Sequence, residues 1–157
     1  MQTNSLHSAP GFTLIEVLVA IVILTVGILG LAGLQGTALQ NTHSAHLRSQ
    51  AVNLAHDIAE RMRSNRATAL QNSTNYQIDL GVAPTAPGKD CAITSCTAME
   101  LAAYDKDAWY RAVSQLPEGK GSVAIDVNTR IANITIQWAD NLRLADQTVS
   151  FPLQAQL

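Results

Sequence analysis

The sequence predicts an α+β fold: a very long N-terminal helix, a second shorter helix, and a small antiparallel sheet at the C-terminal end. Three observations carry that reading. Helical spacing of apolar residues persists from Phe12 to about Asn65 without a proline. Thr97-x-x-Glu100 has the form of a capping box, which opens a helix. Three later segments alternate apolar and polar residues: Val123/Ile125/Val127, Ile134/Ile136/Trp138 and Val149/Phe151/Leu153. Half-buried antiparallel strands alternate in that way.

The first part of the long helix is FTLIEVLVAIVILTVGILGLAGL, Phe12 to Leu34, an apolar run of 23 residues with one charge, Glu16. At about 1.5 Å per residue it extends about 35 Å, enough to cross a hydrocarbon core of about 30 Å. A carboxylate at mid-membrane costs on the order of 2.5–3.5 kcal/mol, so its presence points to a function. Glu16 lies about 6 Å from the end of the run, which lowers that cost. Gly27, Gly30, Gly33 and Gly36 recur at every third position. Each costs up to about 1 kcal/mol relative to Ala inside a helix. Close packing against other helices is the simplest use for them, with local loosening of the helix as the second.

Beyond Leu34 the helix becomes amphipathic. Leu47, Ala51, Leu54, Ile58 and Met62 form one apolar stripe, while Arg48, Asp57, Glu60, Arg61 and Arg63 lie off it. A helix continuous to Ser64–Asn65 would be roughly 80 Å long. Residues 67–89 read as loop, with a short strand candidate at Tyr76–Leu80. The second helix turns Leu101, Ala108, Trp109, Ala112, Val113 and Leu116 toward a core, and Pro117 and Gly119 end it. Pro152 cannot donate to a ladder, which makes the last strand an edge.

Composition excludes several classes of function. The 157 residues carry a net charge of −2, and from residue 67 onward six basic residues face nine acidic ones. A nucleic-acid binder needs a concentrated basic face. The cluster Arg61, Arg63 and Arg66 is interleaved with Asp57 and Glu60 and reads as a solvated helix end. His43, His46 and His56 share their helix with no cysteine or carboxylate set that would complete a zinc site. Asp105 and Asp107 do not face each other on a helix and read as solvated charges rather than an acid/base pair. Trp109, Tyr110 and Trp138 sit at core spacing. The sequence thus presents no catalytic set, no metal site and no cofactor loop.

Met1 to Gly11, MQTNSLHSAPG, is polar, and its final glycine stands immediately before the apolar run. A secretory signal peptide has its cleavage site after the apolar segment, so cutting at Gly11 would instead leave the helix on the mature chain. The hexapeptide GFTLIE at 11–16, with the run behind it, resembles the processing site of type IV prepilins and pseudopilins. The resemblance implies a leader at 1–11, cleavage by a prepilin peptidase between Gly11 and Phe12, N-methylation of Phe12, and an assembly role for Glu16. Leaders of that family carry Lys or Arg; this one has neither, and the first basic residue is Arg48. Charge therefore sets orientation weakly, and insertion leans on hydrophobicity.

Three further stretches, TVGILGLAGLQ at 25–35, AVNLAHDIAERMRSNR at 51–66 and CAITSCTAMELAAYDKDAWYRAVSQLPEGKGSV at 91–123, resemble the PilV type of minor pilin. That implies a pilin-like fold with a transmembrane and filament-core helix at 12–34, an amphipathic helix at 35–66 and a periplasmic α+β head at 67–157. The implied partners are the prepilin peptidase, other minor and major pilins, a tip adhesin and the inner membrane, with no nucleic acid. The implied location is the bacterial inner membrane as a single-pass protein, and the pilus filament. Two alternatives stand beside it: a pseudopilin of a type II secretion system, and a single-span periplasmic binding domain that never polymerises. Cys91 and Cys96 are the chain's two cysteines. In an exported head a local disulfide is the default for such a pair.

Overall fold

The computed structural model describes residues 11–140 and 148–157, which form two compact units, one ending at Asn41 and the other beginning at Thr42. The elements run α1 (Leu14–Ser64), α2 (Arg66–Gln71), a 3₁₀ turn (Ser73–Asn75), α3 (Ala98–Val113), β1 (Lys120–Asp126), β2 (Ile131–Ala139) and β3 (Thr148–Gln156). The fold is α+β, as the periodicities predict, and pilin-like, as the resemblance implies.

In the N-terminal unit α1 is bare. Phe12 is 84% exposed, and the large apolar side chains from Leu14 to Leu39 are exposed as well. Among the described residues no protein surface covers them, so their solvent must come from elsewhere. In the C-terminal unit the same helix has a buried stripe: Leu47, Ala51, Ala55, Ile58, Ala59 and Met62. Leu54, expected on that stripe, is only partly buried, and Ala55 and Ala59 take the inner positions. Small side chains there let α3 come close: the buried Trp109 donates its indole N–H to the Leu54 carbonyl at 2.8 Å. Buried indoles need such a partner.

The sheet is antiparallel in the order β1-β2-β3. Register places Val123 opposite Ile134, and Ile134 opposite Leu153, so the alternating apolar sets share one face. Val123, Ile125, Ala132, Ile134, Ile136 and Trp138 supply the core from this layer. Pro152 falls on β3, which pairs on one side only, where its missing N–H removes no ladder bond.

Three elements differ from the sequence reading. Residues 66–71 form α2 rather than loop. Asn65 interrupts the helical path after Ser64, and the helix-forming Ala67, Ala69 and Leu70 then close another turn, starting from the Asn65 carbonyl. Tyr76–Leu80 makes no strand, only the single bridge Ile78–Val123. The reason is local: Gln77 bonds Asp79, the Val82 N–H returns to the Asp79 carbonyl, and Gly81 turns the chain at φ 75°. Helix α3 stops at Val113, and Leu116 joins the core from the turn that follows.

That turn brings β1 very close to α3. A Cβ on Gly121 would lie 2.6 Å from the Trp109 ring, so β1 can lie beside this side chain only where it has none. Gly121→Ala should therefore destabilise the fold by about 1–3 kcal/mol, the usual cost of overpacking a filled core. Urea unfolding of the full chain in detergent measures this; an unchanged midpoint would show that Trp109 yields freely.

Candidate functional site

The first site predicted from the sequence lies at the start of α1. Gly11 and Phe12 are exposed and precede the helix, and Thr13 caps it. The Glu16 N–H approaches the Thr13 hydroxyl at 3.4 Å and bonds the Thr13 carbonyl at 3.1 Å. Glu16 thus sits in the first turn, where the positive end of the helix dipole favours a carboxylate. Phe12, Glu16, Ala20 and Leu24 follow one another at i, i+4 spacing along an open apolar face. Glu16 is the one acidic group on that face. Helix α1 is long and apolar enough to cross a membrane, with a mean hydropathy of 2.8 in its most apolar stretch.

The second feature was not foreseen and corrects the reading of Asp105 as a solvated charge. Asp105 is only 4% exposed. It falls on the face of Ala102, Trp109 and Val113, at spacings of three and four, so α3 carries it into the core. Its carboxylate accepts from the Tyr76 hydroxyl at 2.8 Å and from the Arg61 guanidinium at 3.1 Å. Asn65 completes the node, donating its side-chain amide to the Tyr76 hydroxyl at 3.1 Å and to the Ala98 carbonyl at 2.7 Å. Burial pushes the Tyr76 hydroxyl well above its ordinary range, and the neighbouring Asp105 adds to that. Burial alone would lower Arg61, but bonds to Asp57 and Asp105 outweigh it and raise the guanidinium. Arg61 is therefore not the solvated helix end expected from the sequence. It joins α1 to α3, and the spacing of Asp105 with Ala102 and Trp109 was the available clue.

Asp107 instead pairs with Arg111 at 2.9 Å along the outside of α3. His43, His46 and His56 are exposed on α1, and the described residues contain no group of histidines, cysteines and carboxylates placed to hold a metal. Trp109 and Trp138 are buried in the core, and Tyr110 packs at its edge.

Cys91 and Cys96 are disulfide-bonded, closing a short loop just before α3. Thr97 and Glu100 form the reciprocal capping box that the sequence predicts. Lys89 adds an ion pair to Glu100 at 2.7 Å, which ties the segment before the disulfide to the helix after it. The Lys89 ammonium, together with the Thr97 N–H and hydroxyl, holds the Glu100 carboxyl down to about 2.

Comparison with known families gives two adjoining matches. Residues 7–32 match the prokaryotic N-terminal methylation motif, a span that contains Gly11, Phe12 and Glu16. Residues 33–107 match the family described as type IV pilin Tt1218, a span that covers the rest of α1, α2, the disulfide loop and the first part of α3. No curated protein and no solved structure matches the chain.

Two tests follow from this geometry. Asp105→Ala leaves the buried Tyr76 hydroxyl without an acceptor and should cost about 2–3 kcal/mol. Asp105→Asn, which keeps an acceptor oxygen, should cost less; equal unfolding midpoints for both variants and the wild type would remove the node from the stability of the fold. Glu100 has a depressed folded-state pKa, so its contribution is present above the ordinary value of 4.5 and is lost as pH falls toward 2. Melting temperature followed across that window should fall less steeply for Glu100→Gln than for the wild type. Parallel curves would contradict the assignment.

Proposed function

We infer that this chain, a type IV pilin with an N-terminal methylation motif, serves as a minor pilin that helps to initiate or cap pilus filaments together with other minor pilins. The observation that carries the reading is the methylation-motif match lying across Gly11 and Phe12, directly before an exposed apolar helix with Glu16 in its first turn. The minor rather than major role is supported by the resemblance of residues 25–35, 51–66 and 91–123 to PilV-type sequences. On this reading a prepilin peptidase removes residues 1–11 and methylates Phe12. Residues 12–34 then anchor the chain in the inner membrane before they enter the filament core. Residues 35–66 continue the helix, and the head at 67–157 faces the periplasm, where other pilins and a tip adhesin are its partners.

The chemistry of Glu16 follows. Cleavage gives Phe12 a free α-amine, which stays cationic when methylated. Among axially offset helices, Glu16 of one subunit can meet that amine on another. At about 4 Å and an effective dielectric near 20 the attraction is on the order of 4 kcal/mol before desolvation. The pair favours one stagger over others, so it acts on register. It also explains why an apolar segment that must cross a membrane retains a carboxylate.

The experiment is mass spectrometry of the chain from sheared filaments, with Glu16→Val compared in parallel. The expected N-terminus is methylated Phe12, and Glu16→Val should be cleaved and inserted normally yet recovered from filaments at a small fraction of the wild-type level. A mature N-terminus beyond residue 34 would overturn the reading. Wild-type recovery of Glu16→Val would remove Glu16 from assembly and favour an anchored domain that does not polymerise.

A further inference from the structure

We propose that the open hollow between α2 and the turn joining β1 to β2 is a docking site for an acidic peptide segment of a partner protein, gripped by Arg66 and Arg130. The hollow has a volume of about 470 Å³ and is lined by Arg66, Ala67, Leu70, Val127 and Arg130. Its lining combines two cationic side chains with the apolar side chains of Ala67, Leu70 and Val127.

The two arginines differ from their neighbours. Arg61, Arg63 and Arg111 each hold a carboxylate. Arg66 and Arg130 are both exposed, and among the described residues neither guanidinium has a hydrogen bond or an ion pair. From residue 66 onward acidic residues outnumber basic ones by nine to seven, Arg66 and Arg130 included.

Arg130 is also held in an unfavourable backbone conformation, at φ 57°. The left-handed region suits Gly or Asn; an ordinary side chain there crowds the following carbonyl. The turn allows no easy relief. The Asp126 carboxylate accepts from the Asn128 N–H at 2.9 Å and the Thr129 N–H at 3.4 Å, and the Arg130 carbonyl accepts from the Leu157 N–H at 2.9 Å. An arginine kept at a position that suits Gly or Asn, with a guanidinium unpaired among the described residues, is accounted for if that guanidinium has its partner outside the fold.

The lining specifies the ligand. Two guanidiniums offer bidentate donors that match carboxylates or phosphates equally well. Leu70 and Val127 discriminate, because a phosphate gains nothing from apolar side chains, whereas a peptide can set an aliphatic side chain there beside its Asp or Glu. The proposal stands apart from the filament reading, since it needs only the folded C-terminal unit as it sits in the full chain.

The test is selection from a random-peptide phage library on the full-length protein in detergent micelles, followed by binding titrations with the selected peptides. Enriched peptides should combine Asp or Glu with a neighbouring Leu, Ile or Val. Arg66→Gln and Arg130→Asn should each weaken their binding by at least about tenfold, as loss of a charge-assisted hydrogen bond does. Arg130→Asn removes the backbone conflict, so it should melt no lower than the wild type while binding more weakly, which separates lost recognition from lost folding. Arg66→Gln, on the exposed start of α2, provides the second independent variant. Peptides without acidic enrichment, binding of pyrophosphate but of no acidic peptide, or unchanged affinity in both variants would each overturn the proposal.

Discussion

Helix α1 changes solvent along its length, and most of this molecule follows from that constraint. Its first turns expose apolar side chains on every face, which water cannot solvate cheaply. Its last turns bury one stripe, half of it alanine, and expose charges on the other faces. A helix satisfies its own backbone in both settings, so the same element can serve lipid or neighbouring helices at one end and a protein core at the other. Glu16 marks one limit of the apolar part. At the other end, the buried stripe from Leu47 to Met62 is the surface on which α3 and the sheet are built.

The end of α1 is set by polar rather than apolar contacts. Asn65 departs from helical geometry and turns its amide to Tyr76 and Ala98, while Arg61 reaches Asp105. The polar groups of the node bond one another, so a charge-bearing cluster is accommodated without orphaned donors. Such a cluster tolerates few alternative arrangements, because shifting α3 by one residue would strand the Asp105 carboxylate. Apolar packing alone would permit more sliding. The node therefore fixes α3 against α1, and the disulfide with the Thr97–Glu100 cap fixes the segment that leads into α3.

The two ends of β1 obey different logics. At Gly121 the absence of a side chain is required by Trp109, and sequence and structure agree. At Arg130 the residue and the backbone disagree, and among the described residues its guanidinium has no hydrogen bond or ion pair. A fold optimised for stability alone would place Gly or Asn there. The conflict is local and exposed, which is where a protein can keep a residue for recognition at modest cost to its core.

Periodicity made the main elements legible: the exposed run after Gly11, the stripe at 47–62, the Thr97 cap and the three alternating strands each depend on neighbours within a few residues. The methylation motif was legible for the same reason, since Gly11, Phe12 and Glu16 are recognised by their order along the chain. Tertiary structure decided what depends on partners far apart in sequence. Asp105 became a core residue because Tyr76 and Arg61, distant in the chain, arrive with a hydroxyl and a guanidinium. Ile78 reached the sheet through a single bridge to Val123, a residue 45 positions away. Arg66 and Arg130 came to share one hollow because the sheet carries its turn toward α2. Local spacing determines which face a residue occupies; what covers that face is determined by the chain that folds back onto it.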